Sequence, residues 1–129
     1  MSGRFLLDTN IIIAIFADDR TLIDRLSVAD EIFLPAVALG ELYYGAGKSA
    51  RSDANIGRID EFAAAIVVLG CDQITARHYG QIKTDLRSKG CPIPENDIWI
   101  AAVARQHGLT LLSRDSHFAE IGDLPAQSW

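Results

Sequence analysis

Cysteine is scarce in this sequence: only Cys71 and Cys91 are present, twenty residues apart. Two thiols exclude a disulfide framework, and their pattern does not suggest zinc, so buried or half-buried free thiols are expected. Long apolar runs are missing too. The run that closes at Leu69 is less than half of the about 18 residues a membrane span needs. Near the N-terminus, Asp8 interrupts Phe5-Leu6-Leu7, which is much shorter than the ~7–15-residue apolar core of a secretory signal, so a cytoplasmic location and no membrane association are expected. Positive charge is in deficit. Twelve Lys and Arg stand against seventeen Asp and Glu, a net charge of −5, which argues against holding nucleic acid by a general excess of basic side chains.

What remains is a chain of 129 residues, 49% hydrophobic and 22% charged. That length suits one domain with one sizeable core, spanning 1–129, and the composition is too apolar for a disordered chain. Neither a repeat nor a low-complexity tract breaks it. Phe5-Leu6-Leu7 reads as a strand that turns at Asp8-Thr9-Asn10 into a helix over residues 11–17. A helix over 22–28 follows, then a strand over 32–34 stopped by Pro35, then a helix over 37–46. Apolar positions at Ile56, Ile59, Phe62, Ala63 and Ile66 give a helical period that runs into a β-branched strand over 66–69. A polar helix is expected over 75–88, ended by Lys89-Gly90. Pro92 and Pro94 then hold an extended segment, and Asn96 is expected to cap a helix apolar on every side over 98–104. Gly108 ends that helix before a strand over 110–113, and the segment beyond Phe118 has little structural signal. Helices alternating with continuously apolar strands indicate an α/β fold of three α/β/α layers, with a central, mostly parallel sheet of four or five strands.

This organisation places four carboxylates together. In a parallel sheet the connecting helices run back against the strands, so each begins at the edge where strands end. Asp8 and Asp115 lie just past strand ends, Asp97 opens the helix that feeds the last strand, and Glu41 sits about one turn into the helix after the second strand. Taken singly, Asp8, Asp97 and Asp115 read as helix caps or favourable charges at helix starts, and Glu41 as a solvated side chain on an apolar helix. Taken together they converge on one edge. Converging carboxylates repel, and such a cluster persists by protonation or by holding cations. Oxygen donors select hard ions, with Mg2+ or Mn2+ the best fit. Such an ion lowers the pKa of a bound water and stabilises charge on phosphoryl oxygens, so the matching reaction is phosphodiester hydrolysis.

With these residues placed, the chain resembles a PIN-domain ribonuclease of the VapC toxin type. The resemblance rests on Leu7-Asp8-Thr9-Asn10, on Ala38-Leu39-Gly40-Glu41-Leu42, on Asn96-Asp97-Ile98-Trp99-Ile100-Ala101-Ala102 and on Ser113-Arg114-Asp115-Ser116-His117-Phe118, in family order and spacing across nearly the whole chain. It implies a metal-dependent endoribonuclease acting as the toxin of a toxin–antitoxin pair. Asp8, Glu41, Asp97 and Asp115 would be the catalytic and metal-ligating residues, supported by the polar Asn10 and Ser113. It also implies a homodimer, an RNA substrate and a cognate antitoxin whose tail occupies the active site. Ser113 stands where the family often carries Thr, which keeps the hydroxyl, and Leu124-Pro125-Ala126-Gln127 is less strand-prone than the usual final strand.

Other features reach less far. Gly47-Lys48-Ser49 resembles the end of a phosphate-binding loop, but Leu42 stands where its first glycine is required and a helix precedes it. His78, His107 and His117 have no metal-ligand spacing and receive no catalytic role. Tyr43 and Tyr44 fit a core or a dimer contact better than base stacking. Among the basic residues, Arg114 is the best candidate for a contact to RNA phosphate, because it lies between Ser113 and Asp115. Two alternatives to a nuclease are a receiver-like regulatory domain that binds metal without catalysis and an RNA-binding PIN-like module with a dead site. The receiver reading wants an acidic pair after the first strand and a lysine after a late one, and neither is present. Counting the four carboxylates as ligands leaves −5 + 4 = −1 on the rest of the surface, so the acidity is concentrated where a cation would bind.

Overall fold

The computed structural model describes residues 3–129; Met1 and Ser2, inside the expected domain span, lie outside the described residues. In chain order the elements are β1 (Arg4–Leu7), α1 (Thr9–Phe16), α2 (Arg20–Leu26), β2 (Glu31–Pro35), α3 (Ala36–Gly47), α4 (Ser52–Ala65), β3 (Val67–Leu69), α5 (Gln73–Lys89), α6 (Glu95–His107), β4 (Thr110–Leu112), a 3-10 turn (Ser116–Glu120) and β5 (Ala126–Gln127). The five strands form one sheet in the order β3-β2-β1-β4-β5, and every pairing is parallel. The fold is three-layered α/β/α, as the alternation of elements implies.

The central strands are apolar without alternation because both of their faces are covered. Leu6, Leu7, Leu34, Leu111 and Leu112 are all fully buried. Helix α6 is the most enclosed helix, with Ile100, Ala101, Ala102, Val103 and Ala104 at 0% exposure. Its small side chains let neighbouring elements approach closely, and α5 and α3 both pack against it. Gly108 adopts φ 64° at the end of α6, a left-handed conformation that glycine tolerates without a Cβ clash, and so turns the chain into β4.

Three local expectations are corrected. Asn96 does not cap α6. Pro94 is the capping residue, extended at φ −56° and ψ 143°, and its carbonyl accepts from the amides of Asp97 and Ile98. The ring of Pro94 presets that φ, so the helix starts earlier than a search for polar caps suggests, and Asp97 lies within its first turn. The polar helix α5 likewise starts earlier, at Gln73. The Asp72 carboxylate accepts from the amides of Ile74 and Thr75, while the Thr75 hydroxyl returns a bond to the Asp72 amide. The segment beyond Phe118 also has more order than its composition suggests. Phe118 and Ile121 are buried, and β5 pairs with β4.

The strand order sets the position of the site. From β1 the chain builds outward through β2 and β3, then returns to add β4 and β5 on the other side. The reversal falls between β1 and β4, and in open α/β sheets the crevice beyond the carboxyl ends of strands at such a switch point is where ligands bind.

Candidate active site

Asp8 follows directly on β1 and caps α1. Its Oδ1 accepts from the Thr9 amide at 2.8 Å, and its own amide donates to the Leu112 carbonyl at 3.0 Å, tying the ends of β1 and β4 together. The Ser113 hydroxyl donates to Asp8 Oδ2 at 2.7 Å, and the Asn10 amide group reaches the same oxygen at 3.3 Å. Asn10 Oδ1 accepts from the Arg114 amide, and Ser113 Oγ accepts from the Asp115 amide. Asn10 and Ser113 therefore hold Asp8 in one orientation and fix the backbone that carries Asp115.

Asp97 projects from the first turn of α6 and is 9% exposed. Its Oδ2 lies 2.5 Å from His117 Nε2, which stands 3.6 Å from Asp115 Oδ2. One ligand atom from each of Asp97, Asp115 and His117 lies within 4.8 Å of the other two. Glu41 comes from α3 and is half-buried. Its Oε1 is enclosed without a hydrogen-bond partner, as is the Thr9 hydroxyl oxygen.

Electrostatics link these groups. Burial pushes the Asp8 carboxyl above its ordinary pKa; the bonds from Ser113 and Thr9 oppose the shift, and the charges of Asp97 and Asp115 add to it. Glu41 is raised by burial, with the Thr9 side chain opposing and Asp8, Asp97 and Asp115 reinforcing. Asp97 is raised by burial as well, against the pull of His117. Each carboxylate feels others from distant parts of the chain, the signature of one shared site.

The structure thus brings Asp8, Asn10, Ser113, Asp97 and Asp115 to one edge, with Glu41 in electrostatic reach. Asp8 and Glu41 stand outside the tightest trio, Asp97, Asp115 and His117. Arg114 is engaged by other groups: its guanidinium bonds Asp19 Oδ2 at 2.8 Å and the Trp129 carbonyl at 2.9 Å. Trp129 is in turn set edge-on against Phe5 and lies under Arg25. Arg114 therefore braces the loop around Asp115 from outside. Sequence alone does not single out His117, because its spacing to the other histidines fits no metal motif. The readable signal was its place two residues after Asp115, on the same turn.

Beside Glu41 an apolar cleft of about 490 Å³ opens between α1, α3 and α4, lined among others by Thr9, Ile13, Phe16, Leu42 and Ile59. Arg58 crosses it, donating to the Phe16 carbonyl and lying over the Phe16 ring.

An all-parallel α/β/α domain whose acidic side chains converge at the switch point is the architecture of the PIN class. A family model described as PIN domain matches residues 5–124, and the chain belongs to that family, in its VapC-type branch. Among relatives, "Ribonuclease VapC2" of Haemophilus influenzae is 36% identical, with 98% of each chain covered. The "tRNA(fMet)-specific endonuclease VapC" of Shigella flexneri is 34% identical over 98% of each. Among solved structures, a DNA-bound VapBC from Salmonella typhimurium aligns with a TM-score of 0.92 at 30% identity, covering 98% of both chains. VapBC2 from Rickettsia felis, bound to a fragment of promoter DNA, aligns at 0.91 with 27% identity over the same share.

Proposed function

We propose that this chain is a divalent-metal-dependent endoribonuclease and the toxin of a toxin–antitoxin pair. The observation that carries the reading is the convergence of Asp8, Glu41, Asp97 and Asp115, three of them with carboxyls raised by burial and mutual repulsion. The unpartnered Glu41 Oε1 and the close approach of Asp97 to Asp115 supply oxygen donors that protein contacts leave unsatisfied. Such a donor set fits Mg2+ or Mn2+. When bound, the ion supplies an activated water and offsets charge on the scissile phosphate.

The chain's own residues do the positioning. Ser113 and Asn10 orient Asp8 so that its carboxylate is not free to rotate away. Burial of Asp8 and Asp97 keeps bulk water from screening them, which strengthens their hold on a cation. Asp97 is carried on the rigid, fully packed α6, and Asp115 on a loop pinned by Asn10, Ser113 and Arg114. The apolar cleft beside Glu41 suits the tail of an antitoxin, which would block the approach to the carboxylates. A homodimer is part of the same reading, checked by sedimentation of the purified chain.

The test is to incubate antitoxin-free protein with structured RNA, initiator tRNA first because one relative is named for it, with and without chelator. Cleavage should require Mg2+ or Mn2+, and Asp97→Asn should lower it by about 10²-fold or more. Cleavage that persists in chelator, or an unimpaired Asp97→Asn, refutes the metal-dependent reading. RNA binding without turnover under every metal condition would leave a binding module.

A further inference from the structure

We infer that His117 is a nitrogen ligand of the cation centre, which makes the site a mixed carboxylate–imidazole site rather than an all-oxygen one; the inference rests on the metal-dependent reading above. The observation is positional. His117 Nε2 points into the gap between two carboxylates, 2.5 Å from Asp97 Oδ2 and 3.6 Å from Asp115 Oδ2. The Asp97 contact is a hydrogen bond, which a bound ion would replace; neighbouring ligands on an octahedral ion with bonds of about 2.1 Å stand about 3 Å apart, between the two separations found here. The three atoms come from two elements, the first turn of α6 and the turn after β4, and they meet only because those elements abut at the sheet edge.

The imidazole is also held in place. It lies on the 3-10 turn Ser116–Glu120, whose next residue, Phe118, is 2% exposed and anchors the turn in the core. The His117 and Phe118 rings stand 5.2 Å apart in a tilted arrangement. A side chain on an anchored turn, facing the mouth between two acids, has the preorganisation a ligand needs. Asp8, secured by Ser113, and Glu41 lie outside this trio but feel the charges of Asp97 and Asp115. His117 thus adds a nitrogen to the two carboxylates of the tightest trio.

The donor set has a chemical consequence. Carboxylate oxygen suits Mg2+, whereas imidazole nitrogen favours transition ions, so one nitrogen shifts the preference from Mg2+ toward Mn2+ and the later metals. The chain should prefer Mn2+ to Mg2+ more strongly than an otherwise identical site built from oxygen alone.

The experiment uses the full chain and Mn2+ as the probe. Pulsed electron paramagnetic resonance of the Mn2+-loaded protein should show the coupling of a directly bound histidine nitrogen, and labelling histidine with 15N should change that coupling without any substitution. In His117→Gln the coupling should vanish, and Mn2+ affinity measured by calorimetry should fall by at least about tenfold, the lower end of what even outer-shell partners contribute. The loss for Mg2+ should be smaller, so the Mn2+/Mg2+ ratio falls. Mn2+ binding with no histidine coupling in the wild-type protein, or coupling that survives His117→Gln, overturns the ligand assignment and leaves the carboxylate site standing. Failure of the wild-type protein to bind Mn2+ at all overturns both.

Discussion

At Glu41 a carboxylate oxygen is enclosed near the Thr9 hydroxyl, in the field of three other acids. A carboxyl whose pKa is higher in the folded than in the unfolded chain favours folding while it is protonated. That contribution is complete below the unfolded values, near 3.8 for Asp and 4.5 for Glu, and it is lost as pH rises through the raised native values. Metal-free protein should therefore gain from Glu41→Gln at pH 8, with a higher Tm than wild type, and the gain should shrink to nothing by about pH 4, where both side chains are neutral. Thermal melts of the two proteins across this range, in chelator, check it. A variant that melts lower than wild type at pH 8 would show that Glu41 is satisfied by contacts rather than strained. Added Mn2+ should reverse the order, because the variant loses a ligand.

The placement of Asp8, Glu41, Asp97 and Asp115 is legible from their positions after strands and at helix starts, since topology alone sends such positions toward one edge. That of His117 is not, because whether a turn residue faces inward depends on Phe118 anchoring that turn. Arg114 shows the opposite case. Its neighbours in sequence suggest phosphate, but its backbone is held by Asn10, and its long side chain reaches Asp19 and Trp129 instead.

Among the elements, β4 matters most, because it connects the most enclosed helix to the loop bearing Ser113, Asp115 and His117. Leu111 is fully buried at the centre of β4 and pairs across to Leu6. Leu111→Ala should cost about 2–5 kcal/mol in denaturant unfolding, through lost burial and the cavity left behind. Helix α5 provides a contrast away from the site. Asp72→Ala removes both side-chain bonds to the first turn and the Gln106 amide contact, and should lower Tm while leaving metal binding by calorimetry unchanged. Asp72 is held below the ordinary carboxylate range by those bonds, so its contribution is present above about pH 4 and fades on acidification, the reverse of Glu41. Element types follow the apolar period well; boundaries do so less, as Pro94 and Asp72 show, because a cap is decided by backbone geometry as much as by residue type.

For the whole molecule, the reversal of strand order between β1 and β4 marks the crevice, and Asp97 and Asp115 lie close enough to Asp8 there for their charges to raise its pKa, as Asp115 raises that of Asp97. Expression without an antitoxin should arrest growth and Asp8→Ala should relieve the arrest, read by colony counts after induction. Equal toxicity of both forms would point away from nuclease action. None of the helices among the described residues is long and apolar enough to cross a membrane.

The sequence by itself determined the α/β class, the parallel sheet and the four carboxylates at one edge. These depend on local periodicity and on the direction in which helices must return along a sheet. Only the tertiary structure decided that His117 stands between Asp97 and Asp115, that Glu41 keeps an unpartnered oxygen, and that Arg114 bonds Asp19 and Trp129. Those outcomes depend on which side chains the packed core leaves room to turn, and residues as far as 95 positions apart in sequence carry no mark of it until the elements meet.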